Sequence, residues 1–387
     1  MRIFVSAAER SGDLHAANLV REVARRDASV RFEGFGGELL AGAGCDVRED
    51  LVGLASMGVG FLRHLSRYFR ALLRFQRALA EARPAAAIFV DSPGLHFLFA
   101  RIARWRRVPA IAYICPQIWA WGPWRRARVL RYADLLLAVL PFEEALWANP
   151  RVPVRYVGHP LADDLALVPE DAGTRLREGL GIGPRERVVG LLPGSRRREI
   201  EELLPVFLRI LGGLRKRGAE CRALVSCFLP EMRPFVEGHL SSSPFRAHVV
   251  PGDSRALIRA SDFALVASGT ASLEAAYFEK PMVVLYPARR WERWAYGLMA
   301  VTPRFALPNI LGFGIAGGEP VVPERLTSGA GEEELAELAG GLLAEGEARE
   351  RTVERLRALK RRFLEPGATR RAADAVLEFL AGAAPAR

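Results

Sequence analysis

Short apolar runs rich in β-branched and aromatic residues recur from end to end of this 387-residue chain, separated by stretches with helical spacing. They predict strands at Ile3–Ser6, Arg31–Phe35, Ala86–Asp91, Ala110–Cys115, Leu135–Leu140 and Val154–Val157. Further along they predict Val188–Leu192, Ala223–Phe228, Ala247–Val250, Phe263–Ala267 and Met282–Tyr286. Most of these runs stop at Gly, Pro, Ser or Asp, as strands buried on both faces do. Alternation with helices predicts right-handed βαβ units and doubly wound sheets. Eleven strands overfill one such sheet. The Asp-, Glu-, Gly- and Pro-rich stretch 163–184 marks the break. The expected fold is α/β, with two Rossmann-like domains facing a central cleft. The domains are expected at 1–165 and 170–345, with a helical segment at 346–387 after them.

Composition changes this picture only at the level of partners. Fifty-five basic against 44 acidic residues give a net charge of +11. This points to an anionic partner: nucleic acid, an acidic membrane surface or a phosphorylated substrate. Arginine supplies nearly all of the excess, and genome-wide bias is a competing explanation. No aromatic-and-basic strand pattern of an RNA-binding module is present, so nucleic acid is not expected. Cys45, Cys115, Cys221 and Cys227 form no CxxC pair, which disfavours a disulfide scaffold or a zinc ribbon. No metal-ligand spacing appears. The N-terminal Met1–Asp13 has only a short apolar run, unlike a secretory signal, and Val108–Trp124, the longest uncharged stretch, falls short of a membrane span.

Candidate chemistry lies just beyond predicted strands, where doubly wound sheets bind ligands. The first loop carries Glu9, Ser11, Gly12 and Asp13, with Ser11–Asp13 placed to begin and cap a helix. Asp91 ends an apolar run and is a candidate general base, its pKa raised by low dielectric; N-capping is the plainer role. His96 reads as a packing or surface histidine. In the second half, Gly194, Ser195 and Arg196 follow one strand, while Ser268, Gly269 and Thr270 follow another. Together they suit a diphosphate, with Arg196 as a planar fork. Glu274, one turn further, is placed to accept from sugar or ribose hydroxyls. Neither loop is a Walker loop, and no aligned GxGxxG marks a dinucleotide site. Trp119 and Trp121 suit sugar rings or acyl chains, or else an aromatic core corner. Arg63, Arg67, Arg70, Arg74 and Arg77 share one helical face, with leucines and Phe69 on the remaining arc. Such a helix lies on an anionic bilayer or packs on a core with its arginines solvated.

The order of these segments resembles the lipid-A-disaccharide synthase family of inverting, two-domain (GT-B) glycosyltransferases. The resemblance runs through Ser11–Asp13, Met57-Gly58, Asp91–Pro93, Pro116–Trp121, Leu140–Glu143, Val157–Leu161, Leu191–Arg196, Ser268–Glu274, Pro281–Val284 and Leu307–Asn309. It implies transfer of 2,3-diacylglucosamine from its UDP carrier to 2,3-diacylglucosamine 1-phosphate, forming a β-1,6 disaccharide and releasing UDP. It also implies that no cofactor or metal is needed. Asp91 would be the base, Arg196 a diphosphate partner and Asn309 part of the donor site, with the acceptor held by the first domain. The location implied is the cytoplasmic face of the inner membrane, as a peripheral protein, which would make the basic helix membrane-facing. A homodimer stays open. Departures from the family pattern at Ala8, Phe61, Gly94, His96 and Thr327 fall largely on the acceptor side. A UDP-sugar 2-epimerase on the same fold, and an inactive UDP-lipid-binding protein at the membrane, are the competing readings.

Overall fold

The computed structural model describes residues 1–52, 65–120, 122–241, 243, 245, 247–252, 254–287, 304–313 and 319–383. Among these residues the strands form two parallel sheets, one of seven strands and one of six. The first contains β1 (Arg2–Ala7), β2 (Arg31–Gly36), β3 (Cys45–Asp50), β4 (Ala86–Val90), β5 (Ala110–Tyr113), β6 (Leu135–Ala138) and β7 (Val154–Tyr156), in the order β3-β2-β1-β4-β5-β6-β7. The second contains β8 (Val188–Leu192), β9 (Arg222–Cys227), β10 (Ala247–Pro251), β11 (Phe263–Ala267), β12 (Met282–Tyr286) and β13 (Glu324–Leu326), in the order β10-β9-β8-β11-β12-β13. All eleven strands expected from the apolar runs are present. The two that sequence patterning missed, β3 and β13, both lie at sheet edges. One face or edge of such a strand meets water, so Cys45–Asp50 and Glu324–Leu326 need no continuous apolar run.

In both sheets the winding reverses beside the first strand. This places one topological switch point between β1 and β4 and another between β8 and β11, where such sheets bind ligands. In the first unit, Ala7 stands level with Val90 at the carboxyl ends of β1 and β4. An aromatic cluster fixes the helices behind that edge. Phe4 meets Phe35 and Phe75 edge-on at 5.1 Å, and Phe75 stacks on Phe99 at 4.3 Å. Phe75 comes from the helix Leu65–Ala82, and Phe99 from the helix Pro93–Trp105 that follows Asp91. In the second unit the helix Arg197–Lys216 buries Ile200, Leu203, Leu204, Phe207, Leu211 and Leu214 against the sheet. Those positions recur at helical spacing.

The chain divides into Met1–Asp163 with Pro366–Arg387, and Asp164–Glu365. The expected helical segment 346–387 is therefore not a separate piece. Its helix Glu347–Phe363 belongs to the second unit, burying Leu356 and Leu359 and donating from Arg349 to the Asp262 carbonyl at 2.9 Å. The chain then breaks at Pro366 and Gly367, where φ is +101°. The last helix, Ala368–Ala383, joins the first unit, where it packs on the helix Arg10–Arg26. Asp163 caps its start, accepting from the Thr369 N–H at 2.7 Å and the Ala368 N–H at 3.2 Å. Both halves of 346–387 are helical, so local pattern could not separate them; the partner surface of each decides its unit.

Candidate active site

In the first unit the loops after β1 and β4 meet. Glu9 is the N-cap of the helix Arg10–Arg26 and makes no side-chain capping bond. Ser11, Gly12 and Asp13 thus lie inside its first turn rather than at its cap. A Cβ on Gly12 would stand 3.9 Å from Asp91 Cβ and 3.4 Å from the Val90 carbonyl oxygen. The absent side chain lets the helix touch the tip of β4. Asp13 is buried, and its two carboxylate oxygens accept from the Gly37 N–H at 2.7 Å and the Leu39 N–H at 3.1 Å. Its observed work is to hold the β2 loop, which the side chain's position near a strand tip did not reveal.

Asp91 is half-buried, and both it and Ser92 adopt left-handed backbone, with φ of +53° and +48°. Each such residue costs on the order of 1–3 kcal/mol, a cost tolerated where the surroundings enforce it. The Asp91 carboxyl is pushed above its ordinary range, chiefly by burial; nearby Glu9 adds to the rise, while a backbone hydrogen bond from Ser92 opposes it. Asp91 also borders a cavity of about 60 Å³ whose walls include Phe89, Phe97, Ile114 and Tyr132. Ser92, not Asp91, is the N-cap of the helix Pro93–Trp105. The combination is what a general base requires: a carboxylate at a switch point, partly desolvated and with no ion-pair partner among the described residues to hold it ionised.

Two groups near this edge do more than sequence reading assigned to them. His96 is buried, with its ring between Asp91 and Ser6 of β1, and is pushed down to about 4 by burial. Glu143 is fully buried at the end of β6 and pushed up to about 7 by burial, against the pull of hydrogen bonds. It accepts from the Val139 and Leu140 N–H groups at 3.1 and 3.0 Å and from the Trp119 indole at 3.2 Å. Trp119 is itself buried, edge-on to Phe142 at 5.6 Å. It is an aromatic core corner, tied down by its N–H, and not an exposed platform. Trp121 lies outside the described residues, as do Met57, Gly58 and Phe61.

In the second unit the loop after β8 turns at Gly194, where φ is +102° and a Cβ would run into the Glu199 carboxylate. Ser195 follows. Arg196 is the N-cap of the helix Arg197–Lys216, and its backbone N–H donates to Glu199 at 3.2 Å. The Arg196 guanidinium is 78% exposed and reaches Glu199 at 3.3 Å, a pair weak enough in water to exchange for a diphosphate. After β11, Ser268 donates to the Phe305 carbonyl at 2.8 Å, and Gly269 takes φ of +143° as N-cap of the helix Thr270–Tyr277. Glu274 accepts from Ser254 Oγ at 3.1 Å and lies 3.9 Å from Arg255. It therefore links this helix to the turn after β10. Asn309, expected to line the donor site, is fully buried. Its amide donates to the Val322 carbonyl and accepts from the Val322 N–H, each at 2.9 Å. A side chain with both ends occupied tethers the edge near β13 and offers no side-chain group to a ligand.

The basic helix uses its faces differently from the simple arc. Ala71, Phe75, Ala78 and Leu79 enter the core, whereas Phe69 and Leu73 remain exposed beside the exposed Arg70, Arg74 and Arg77. Arg74 also pairs with Glu49 of β3. Arg63 lies outside the described residues, and Arg67 is described only as a helical backbone position. No group of three or more His, Cys, Asp or Glu that could hold a metal occurs among the described residues, and no helix there is long and apolar enough to cross a membrane.

The sequence model of the family described as lipid-A-disaccharide synthetase matches residues 3–379. A lipid-A-disaccharide synthase from Azoarcus sp. (strain BH72) is 36% identical over 392 residues, spanning 99% of this chain and 97% of its own. Another, from Myxococcus xanthus (strain DK1622), is 35% identical over 380 residues, spanning 98% and 97%. Among solved structures, a UDP-GlcNAc 2-epimerase from Neisseria meningitidis bound to UDP-GlcNAc aligns with a TM-score of 0.70 at 13% identity, covering 98% of this chain and 100% of its own. MurG from Acinetobacter baumannii aligns at 0.59 with 13% identity, covering 97% and 99%. At such identities the structural likeness shows a shared two-domain fold alone.

Proposed function

The chain belongs to the lipid-A-disaccharide synthase family, and from that premise we propose that it transfers 2,3-diacylglucosamine from UDP to 2,3-diacylglucosamine 1-phosphate. The products are the β-1,6 disaccharide and UDP. The observation that carries this reading is positional. Asp91 and the Arg196 and Ser268–Thr270 loops stand at the two switch points, where doubly wound sheets receive ligands.

The reaction needs a proton acceptor and a counter-charge. Asp91 takes the proton from the acceptor's 6-hydroxyl as that oxygen attacks the anomeric carbon. The bond from that carbon to the diphosphate oxygen breaks on the opposite side, so configuration inverts. Arg196 gives the departing diphosphate a guanidinium fork, and the backbone N–H groups at the start of Thr270–Tyr277 supply further donors. Glu9 and Gly12 shape the acceptor side of Asp91. Asp13, Glu274 and Asn309 hold the loops.

The protein is proposed to work at the surface of an anionic membrane, on its cytoplasmic face. Exposed Phe69 and Leu73 flanked by Arg70, Arg74 and Arg77 support that reading, since apolar side chains enter the headgroup region while arginines meet lipid phosphates.

UDP release from the lipid donor, measured with and without acceptor, tests the assignment. Acceptor-dependent release coupled to disaccharide in the mass spectrum is the expected result. Acceptor-independent epimerisation of the donor sugar would replace it with the epimerase reading, and donor binding with neither outcome would replace it with the inactive, UDP-lipid-binding one.

A further inference from the structure

Strand β4 ends one residue before its base. The Asp91 N–H still donates to the Tyr113 carbonyl at 3.0 Å, as a ladder residue would. Its carbonyl does not continue the ladder, because φ turns left-handed at Asp91 and again at Ser92. That carbonyl instead meets His96 Nδ1 at 2.6 Å. The oxygen only accepts, so the proton is on Nδ1, and Nε2 is left as an acceptor for Ser6 Oγ at 3.0 Å. Ser6 and His96 are both buried. The ring packs beside Phe89 and Phe99, with centroids at 5.5 and 6.0 Å. Burial also keeps it uncharged at neutral pH. One imidazole thus ties the backbone of the kink to β1.

We infer that His96 is a positioning residue for Asp91, its Nδ1–H locking the left-handed tip of β4 in the conformation that presents the carboxylate to the acceptor. The inference rests on Asp91 being the base. Geometry separates the two hydrogen bonds by substitution. An Asn at 96 carries an N–H as many bonds from Cα as Nδ1, and so still reaches the Asp91 carbonyl. A Gln at 96 places its amide where Nε2 was, and so still meets Ser6 only.

Full-chain enzyme carrying His96→Ala, His96→Gln, His96→Asn or Asp91→Asn is assayed with the UDP-linked lipid donor and acylated acceptor. The expected result is a kcat loss of about 100-fold for Ala and Gln, with donor KM held and most turnover restored by Asn. Equal turnover in Asn and Gln, or wild-type turnover in Ala, overturns the positioning role if Asp91→Asn is inactive. Wild-type turnover in Asp91→Asn sinks the base itself. Should Ala and Gln fail to fold, nitrogen-15 NMR of the wild-type imidazoles decides. A neutral Nδ1–H tautomer for His96 across the neutral range is required, and an Nε2–H tautomer or a charged ring refutes the arrangement.

Discussion

Replacing Asp91 with Asn removes one charge and almost no volume, and it should separate activity from stability. A positioned base contributes about 10²–10⁴-fold to a rate. Turnover in Asp91→Asn should therefore fall by that factor, or about 2.7–5.4 kcal/mol of barrier at 1.36 kcal/mol per decade. Burial raises the Asp91 pKa, so the folded chain holds this proton more tightly than the unfolded chain does. Any stability it supplies is present in acid and is lost as pH rises through the folded value; at neutral pH the buried carboxylate is a cost. Asn relieves that cost, and Asn also tolerates the left-handed φ of +53° at this position. The variant should thus be nearly inactive yet melt above the parent at neutral pH, at roughly 2–4 °C per kcal/mol for a unit of this size. The gain should shrink in acid, where the parent's carboxyl is protonated. Disaccharide formation by mass spectrometry and melting by differential scanning fluorimetry across pH read both effects. Turnover within a few-fold of the parent would remove Asp91 from the chemistry. A lower melting temperature at neutral pH would contradict the burial argument.

Three further outcomes follow from the same geometry. Gly194→Ala must take up a φ of +102° and displace Glu199, a cost on the order of 1–3 kcal/mol; calorimetry should show UDP binding weakened about tenfold or more. Glu143 rises from 4.5 to about 7 on folding. Stability from this group is full below the lower value and is lost between the two, up to about 3 kcal/mol; Glu143→Gln should flatten that pH dependence in thermal melts. Phe69→Ser with Leu73→Ser should weaken sedimentation with anionic vesicles at any salt concentration. Charge reversal at Arg70 and Arg77 should weaken it mainly at low salt, and vesicle binding untouched by both would return the helix to a purely structural role.

The sequence by itself determined the sheets and the position of the loops. Strands buried on both faces require unbroken apolar runs, and ligand loops must follow their carboxyl ends, so Asp91, Gly194 and Ser268 could be found by reading along the chain. The edge strands β3 and β13 were silent because edges tolerate polar residues. Only the tertiary structure decided what each polar side chain near those loops does. Asp13 and Asn309 are of the right type and place to bind a ligand, yet both are buried and bonded to Gly37, Leu39 and Val322, while Glu274 meets Ser254. His96 looked like an idle packing residue and instead holds the Asp91 carbonyl. The helix at 368–383 likewise carries no local mark of the unit it joins. Local pattern records burial and period. Which groups satisfy one another's hydrogen bonds is settled by distant segments meeting, and no stretch of sequence encodes that alone.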